Sequence, residues 1–142
     1  MIQKFENDEN KYRGIITSGQ ACDVKKSTDL IINNRINWMS ETSFLFKSIQ
    51  RDLKEYLNYC KTLTSLPFQS IENFEMMMSN QYDHKLGDSG YQIQRTKPGE
   101  YYHWHNDFIV DSHGARVFTF IWYLNDIHED GYTEFIDGDR KS

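Results

Sequence analysis

The chain has 142 residues, a net charge of −5, 38% hydrophobic and 15% aromatic residues, which suits one domain whose core is packed largely with rings. Without clustered Lys and Arg, so mild an acidity excludes a general nucleic-acid binder, because phosphate neutralisation needs concentrated cations. No run approaches the ~20 apolar residues of a membrane span and the N-terminus lacks the apolar stretch of a signal peptide, so a soluble, cytoplasmic chain without a membrane partner is expected.

The first dozen residues are polar and read as frayed. Gly14-Ile15-Ile16-Thr17 predicts a short strand, and Lys25-Lys26 a solvated strand end too short to be a basic patch. Ser27-Thr28-Asp29-Leu30-Ile31-Ile32 predicts a second strand, ended by Asn33-Asn34. Leu45, Ile49, Leu53, Tyr56, Leu57 and Cys60 then recur at steps of three and four, the stripe of an amphipathic helix. Ser40 or Thr42 can cap its start, and Pro67 stops it. Cys22 and Cys60 have no partner-like spacing and read as reduced thiols, with no paired-cysteine zinc pattern. Met76-Met77-Met78 reads as core filler, and His84 as a turn residue.

From Tyr91 the character changes to short strands. Tyr91 to Thr96 alternates, Pro98-Gly99 turns, and Tyr101 to Phe108 is rich in aromatics. Val117-Phe118-Thr119-Phe120-Ile121-Trp122-Tyr123-Leu124 is apolar at nearly every position and predicts a strand buried on both faces. Thr133-Glu134-Phe135-Ile136 follows as the last strand.

His105-Asn106-Asp107 carries the chemistry. Residues two apart in a strand face one side, so an imidazole and a carboxylate at that spacing can converge on one metal. A His-x-Asp pair is two-thirds of the two-histidine, one-carboxylate iron site. Taken alone it is equally a surface histidine and a turn-forming aspartate. His103 and His105 have the same spacing, but positions four apart in a strand lie ~13 Å apart, so His103, His105 and Asp107 cannot all serve one ion without a bend.

Four motifs surround the pair in order: Lys97-Pro98-Gly99 before it, then Arg116, Tyr123-Leu124-Asn125, and Gly131-x-Thr133-x-Phe135. Together they resemble the iron(II)/2-oxoglutarate-dependent dioxygenases, and among them the prolyl-4-hydroxylase-like branch. The resemblance covers residues 91–137; the first ninety residues match only loosely. It implies an α+β fold, with N-terminal helices packed on an incomplete double-stranded β-helix (jelly-roll) core. The whole chain, 1–142, is then a single dioxygenase-like domain, a strand and helix part at about 1–90 and a β-helix part at about 91–142, lacking its C-terminal strands. His105 and Asp107 match the first two iron ligands. Tyr123 matches a tyrosine that bonds the distal carboxylate of 2-oxoglutarate, and Tyr102 a position lining the pocket. Thr133 and Glu134 match a structural strand.

The implied cofactors are iron(II) and 2-oxoglutarate, with ascorbate as an accessory reductant. The implied reaction is hydroxylation of a peptidyl (prolyl-type) or small-molecule C–H bond. The alternative is an inactive jelly-roll binding or interaction module. Three departures accompany the resemblance. The second iron-binding histidine and the following basic anchor for 2-oxoglutarate have no match, because His113 and His128 fall in expected loops. Gly138-Asp139-Arg140-Lys141-Ser142 reads as a turn toward the missing segment, and Arg140 and Lys141 precede the anchor position. Asp130 replaces the first glycine of the usual Gly-Gly pair. An open barrel of this kind would be covered by a dimer partner or by the missing C-terminal segment.

Overall fold

The computed structural model describes residues 1–15, 23–60, 62, 88–107, 110–111, 114–116, 118–135 and 140–141, and omits the side chains of residues 57, 60, 110, 111, 114, 115, 140 and 141. The expectations for Thr17, Cys22, Met76 to Met78, His84 and His113, and for the Cys60 thiol, lie outside the described residues. The chain divides into two compact units, Met1–Ile31 with Gln92–Ser142, and Ile32–Tyr91.

In the first unit the N-terminus is not frayed. It forms a short helix α1 (Ile2–Asn7) with Phe5 buried. The Lys11 ammonium closes the helix, donating to the carbonyls of Phe5 and Glu6 at 3.0 and 2.7 Å and to that of Asp8. A cation at a helix C-terminus satisfies orphan carbonyls and complements the helix dipole. Arg95 places its guanidinium over the Phe5 ring and pairs with Glu6. These contacts join residues ninety apart in sequence, so no local pattern foretells them.

Strands β1 (Tyr12–Arg13), β3 (Thr28–Ile31) and β4 (Gln92–Arg95) form an antiparallel sheet with β3 central. Of the expected first strand, Gly14 and Ile15 lie just past β1 and outside any strand, and Ile16 and Thr17 lie outside the described residues. Leu30 stands opposite Ile93, and both are buried. This cross-strand pair of branched residues is the apolar centre of the sheet. Strand β2 (Lys25–Lys26) pairs antiparallel with β5 (Tyr101–Tyr102). Two two-stranded ladders complete the described strands: β6 (Val110–Asp111) with β7 (Gly114–Ala115), and β8 (Thr133–Glu134) with β9 (Arg140–Lys141). Arg140–Lys141 is thus a strand rather than part of a turn. The described ladders are all antiparallel and accompany helices, an α+β composition.

Phe118 to Leu124 departs from expectation. Among the described residues no strand pairs with it, and its burial alternates: Phe118, Phe120 and Trp122 are half-buried while Thr119, Ile121 and Tyr123 are exposed. Phe118 meets Phe120 in a tilted contact at 6.3 Å between centroids, and Phe120 stacks on Trp122 at 6.0 Å. One set of alternating positions is half-buried and the other exposed, so the segment is not buried on both faces.

In the second unit a 3-10 turn (Ile36–Trp38) with Trp38 fully buried leads into helix α2 (Met39–Cys60). Leu45 and Leu53 are buried and Ile49 half-buried, the i, i+4, i+8 stripe read from the sequence, whereas Tyr56 is exposed. Neither expected cap acts as one. Ser40 donates to Glu41 and Thr42 to the Met39 carbonyl, because the 3-10 turn starts the helical run before either residue. No described helix is long and apolar enough to cross a membrane.

Candidate metal centre

Pro98 and Gly99 form the turn that aims β5. The Glu100 N–H donates to the Lys97 carbonyl at 2.8 Å, and Gly99 has φ +78°. Proline followed by a left-handed residue makes a type II turn, which favours glycine at the second position. Strand β5 then pairs for two residues, and the His103 N–H continues toward β2 with a bond to the Val24 carbonyl at 2.9 Å. The chain bends at Trp104.

That bend separates the histidines. His103 stacks on Tyr101 (4.4 Å, 26°), and His105 stacks on Tyr102 (3.6 Å, 10°). Adjacent strand residues face opposite sides, so the two imidazoles part to opposite sides of β5. The bend precedes His105, and it turns His105 toward Asp107 instead of toward His103. His105 Nε2 lies 3.4 Å from Asp107 Oδ1.

The other ring nitrogen decides what this pair can do. His105 Nδ1 is 2.7 Å from the His103 carbonyl oxygen. A carbonyl only accepts, so Nδ1 carries the proton and a neutral ring presents a lone pair at Nε2. An ionised carboxylate is also acceptor-only. Two acceptors facing each other at 3.4 Å call for a positive centre between them, either a proton or a metal ion. Cis ligands at bonds of about 2.1 Å lie roughly 3 Å apart, so small side-chain rotations bring both atoms onto one ion. The backbone carbonyl fixes which ring nitrogen faces Asp107. Its participation has no side-chain signature in the sequence.

The remaining expected residues are placed less closely. Tyr123 is half exposed, and its hydroxyl donates to Thr133 Oγ1 at 2.8 Å. That contact joins two of the motifs, the Tyr-Leu-Asn segment and β8. His128 and Glu134 are exposed. Among the described residues no group of three or more His, Cys, Asp or Glu could hold a metal ion. Asp130 adopts φ +57° before Gly131 at φ +66°, so it occupies the left-handed position as a glycine would, a conformation aspartate tolerates better than most residues.

Behind Tyr102 lies a cluster the sequence reading missed. Lys25, expected to be solvated, is 4% exposed and its ammonium bonds Asp29 Oδ2 at 2.6 Å. Ser27 Oγ donates to Asp29 Oδ1 and Gln92 Nε2 to Asp29 Oδ2, both at 2.7 Å. Asp29 is 1% exposed and reaches three donors, which is what a buried carboxylate requires. The same carboxylate, together with burial, pushes the Tyr12 phenol above its ordinary value, burial being the larger cause. The available signal was the two-residue period, which places Lys25, Ser27 and Asp29 on one side of an extended chain.

Residues 91–142 match the 2OG-Fe(II) oxygenase superfamily. The matched stretch contains the His105–Asp107 pair, Tyr123 and Thr133, and it supports a dioxygenase of that superfamily, whose members generally use iron(II) and 2-oxoglutarate. No curated protein and no solved structure matches the chain.

Proposed function

We propose that the chain is an iron(II)- and 2-oxoglutarate-dependent dioxygenase of the prolyl-4-hydroxylase-like branch, with residues 91–142 contributing to a jelly-roll core. The observation that carries the reading is the facing of His105 Nε2 and Asp107 Oδ1 at 3.4 Å, with Nδ1 committed to the His103 carbonyl. His105 and Asp107 are the proposed iron ligands; Tyr123 and Tyr102 are proposed to line the 2-oxoglutarate and substrate side. When bound, iron and 2-oxoglutarate supply the oxidising chemistry, in which one atom of dioxygen enters a C–H bond and the other enters succinate as carbon dioxide leaves. The protein's own work is to keep the His105 proton on Nδ1, present the Nε2 lone pair, and place the Asp107 carboxylate beside it. The Tyr123 hydroxyl, turned toward Thr133, keeps a lone pair and can redirect its proton to an incoming carboxylate. The substrate proposed is a peptidyl, prolyl-type residue, with a small molecule as the other class.

The test adds iron(II) and 2-oxoglutarate under anaerobic conditions and follows the weak visible charge-transfer band of the chelate, then succinate after oxygen is admitted. The expected result is a band and succinate in the wild type, both lost in His105→Ala and Asp107→Ala. A band without succinate would move the chain to the binding-module reading. No band, or one indifferent to both substitutions, rejects these ligands.

A further inference from the structure

We propose that the buried Lys25–Asp29 pair positions the His105 imidazole through the ring of Tyr102, making Lys25, Asp29 and Tyr102 positioning residues for the metal centre. The inference rests on the reading of His105 as an iron ligand. Three contacts carry it. Lys25 and Tyr102 are direct cross-strand partners in the β2–β5 ladder, and the Lys25 ammonium lies over the Tyr102 ring, 4.9 Å from its centroid. The Tyr102 ring in turn stacks on His105 at 3.6 Å and 10°. Asp29 sets the ammonium by a 2.6 Å contact and is itself held by Ser27 and Gln92.

Each contact removes a different freedom. The His103 carbonyl selects which imidazole nitrogen bears the proton, but only while the ring lies in the plane that brings Nδ1 to it; a ring free to tilt loses that bond and the choice with it. Stacking on Tyr102 fixes the plane. Tyr102 is partly exposed in a strand only two residues long, so its ring needs an anchor, and an ammonium over an aromatic face supplies one. A buried ammonium already neutralised by Asp29 can do this without projecting its charge toward the metal. Partners outside the ligand set commonly alter metal affinity by about 10–100-fold.

The experiment reads the ring before it reads the metal. Long-range nitrogen–proton correlation spectra of the metal-free, full-length chain, taken with the imidazoles neutral, report the tautomer of His105. The wild type and Tyr102→Phe should show proton occupancy on Nδ1. Tyr102→Leu and the double variant Lys25→Met/Asp29→Asn should show the tautomer mixture of an unrestrained imidazole. Titration with Co(II), a visible stand-in for iron(II), should then show affinity about tenfold weaker in those two variants and unchanged in Tyr102→Phe. Urea midpoints establish that each variant is folded. Should the double variant fail to fold, the comparison of folded Tyr102→Leu with Tyr102→Phe decides the positioning role by itself. A wild-type tautomer in folded Tyr102→Leu, or in the folded double variant, overturns the positioning role. Co(II) binding that is absent, or equal in wild type and His105→Ala, overturns the ligand reading while the tautomer result still stands or falls by itself.

Discussion

Substituting Lys25→Met tests the buried pair directly. The methionine keeps the length of the stem but removes the ammonium, leaving the Asp29 carboxylate in a site where it is 1% exposed. Removing one partner of a buried ion pair costs about 3–5 kcal/mol, because the other charge is left uncompensated. Asp29 keeps the Ser27 hydroxyl and the Gln92 amide, both at 2.7 Å, which places the expected loss at the lower end, about 3 kcal/mol. Losing the contact over the Tyr102 ring adds about 0.5–1 kcal/mol. Against a total stability of about 5–15 kcal/mol this is a large fraction. Urea unfolding followed by circular dichroism is the assay. With a slope of about 2 kcal/mol per molar, the combined loss should lower the midpoint by about 2 M. The double variant Lys25→Met/Asp29→Asn should recover at least half of the loss, since neither charge then remains buried without its partner. A loss below about 1 kcal/mol in Lys25→Met, or a double variant as unstable as the single one, would refute the account of a desolvated, mutually dependent pair.

Two further substitutions probe other parts of the fold. Gly90 has φ +95°, and a Cβ there would lie 1.5 Å from Asn33 Nδ2, displacing the amide whose Oδ1 accepts the Tyr91 N–H; Gly90→Ala should cost about 2–3 kcal/mol in urea unfolding, from backbone strain and the disturbed bond, and a change within about 0.5 kcal/mol would contradict the close approach. The Glu6 carboxyl is held below its ordinary value of 4.5, first by its hydrogen bond to Arg95 and then by the Arg95, Lys11 and Lys97 charges. Its folded form therefore binds fewer protons than the unfolded chain, so the contribution is fully present above pH 4.5 and fades as pH falls through the lowered value. Glu6→Gln should be less stable than wild type near neutrality and converge with it in acid; a gap that persists unchanged at low pH would disprove the linkage.

The Pro98-Gly99 turn was legible because it is local and specified by backbone geometry alone. The spacing of His105 and Asp107 allowed the pair to be named, but their approach follows a bend at Trp104 rather than the alternation of a strand. The long helix was equally legible, since its stripe repeats over several turns, although the 3-10 entry that displaced Ser40 and Thr42 from capping depends on the buried Trp38. The parts that were not legible involve distant partners. Charged residues such as Lys25 and Asp29 default to solvent in any local reading; only the approach of β4 and β5, some seventy residues later, encloses them.

The sequence by itself determined that a histidine and a carboxylate stand two residues apart, ordered among motifs similar to an oxygenase superfamily; the strand expected to carry them ends at Tyr102. The tertiary structure decided which histidine lies beside Asp107, by bending the chain at Trp104 and stacking each imidazole on a different tyrosine. It also decided which nitrogen faces Asp107. That choice is made by a backbone carbonyl, and main-chain groups are the same at every position of a sequence until a fold aims them.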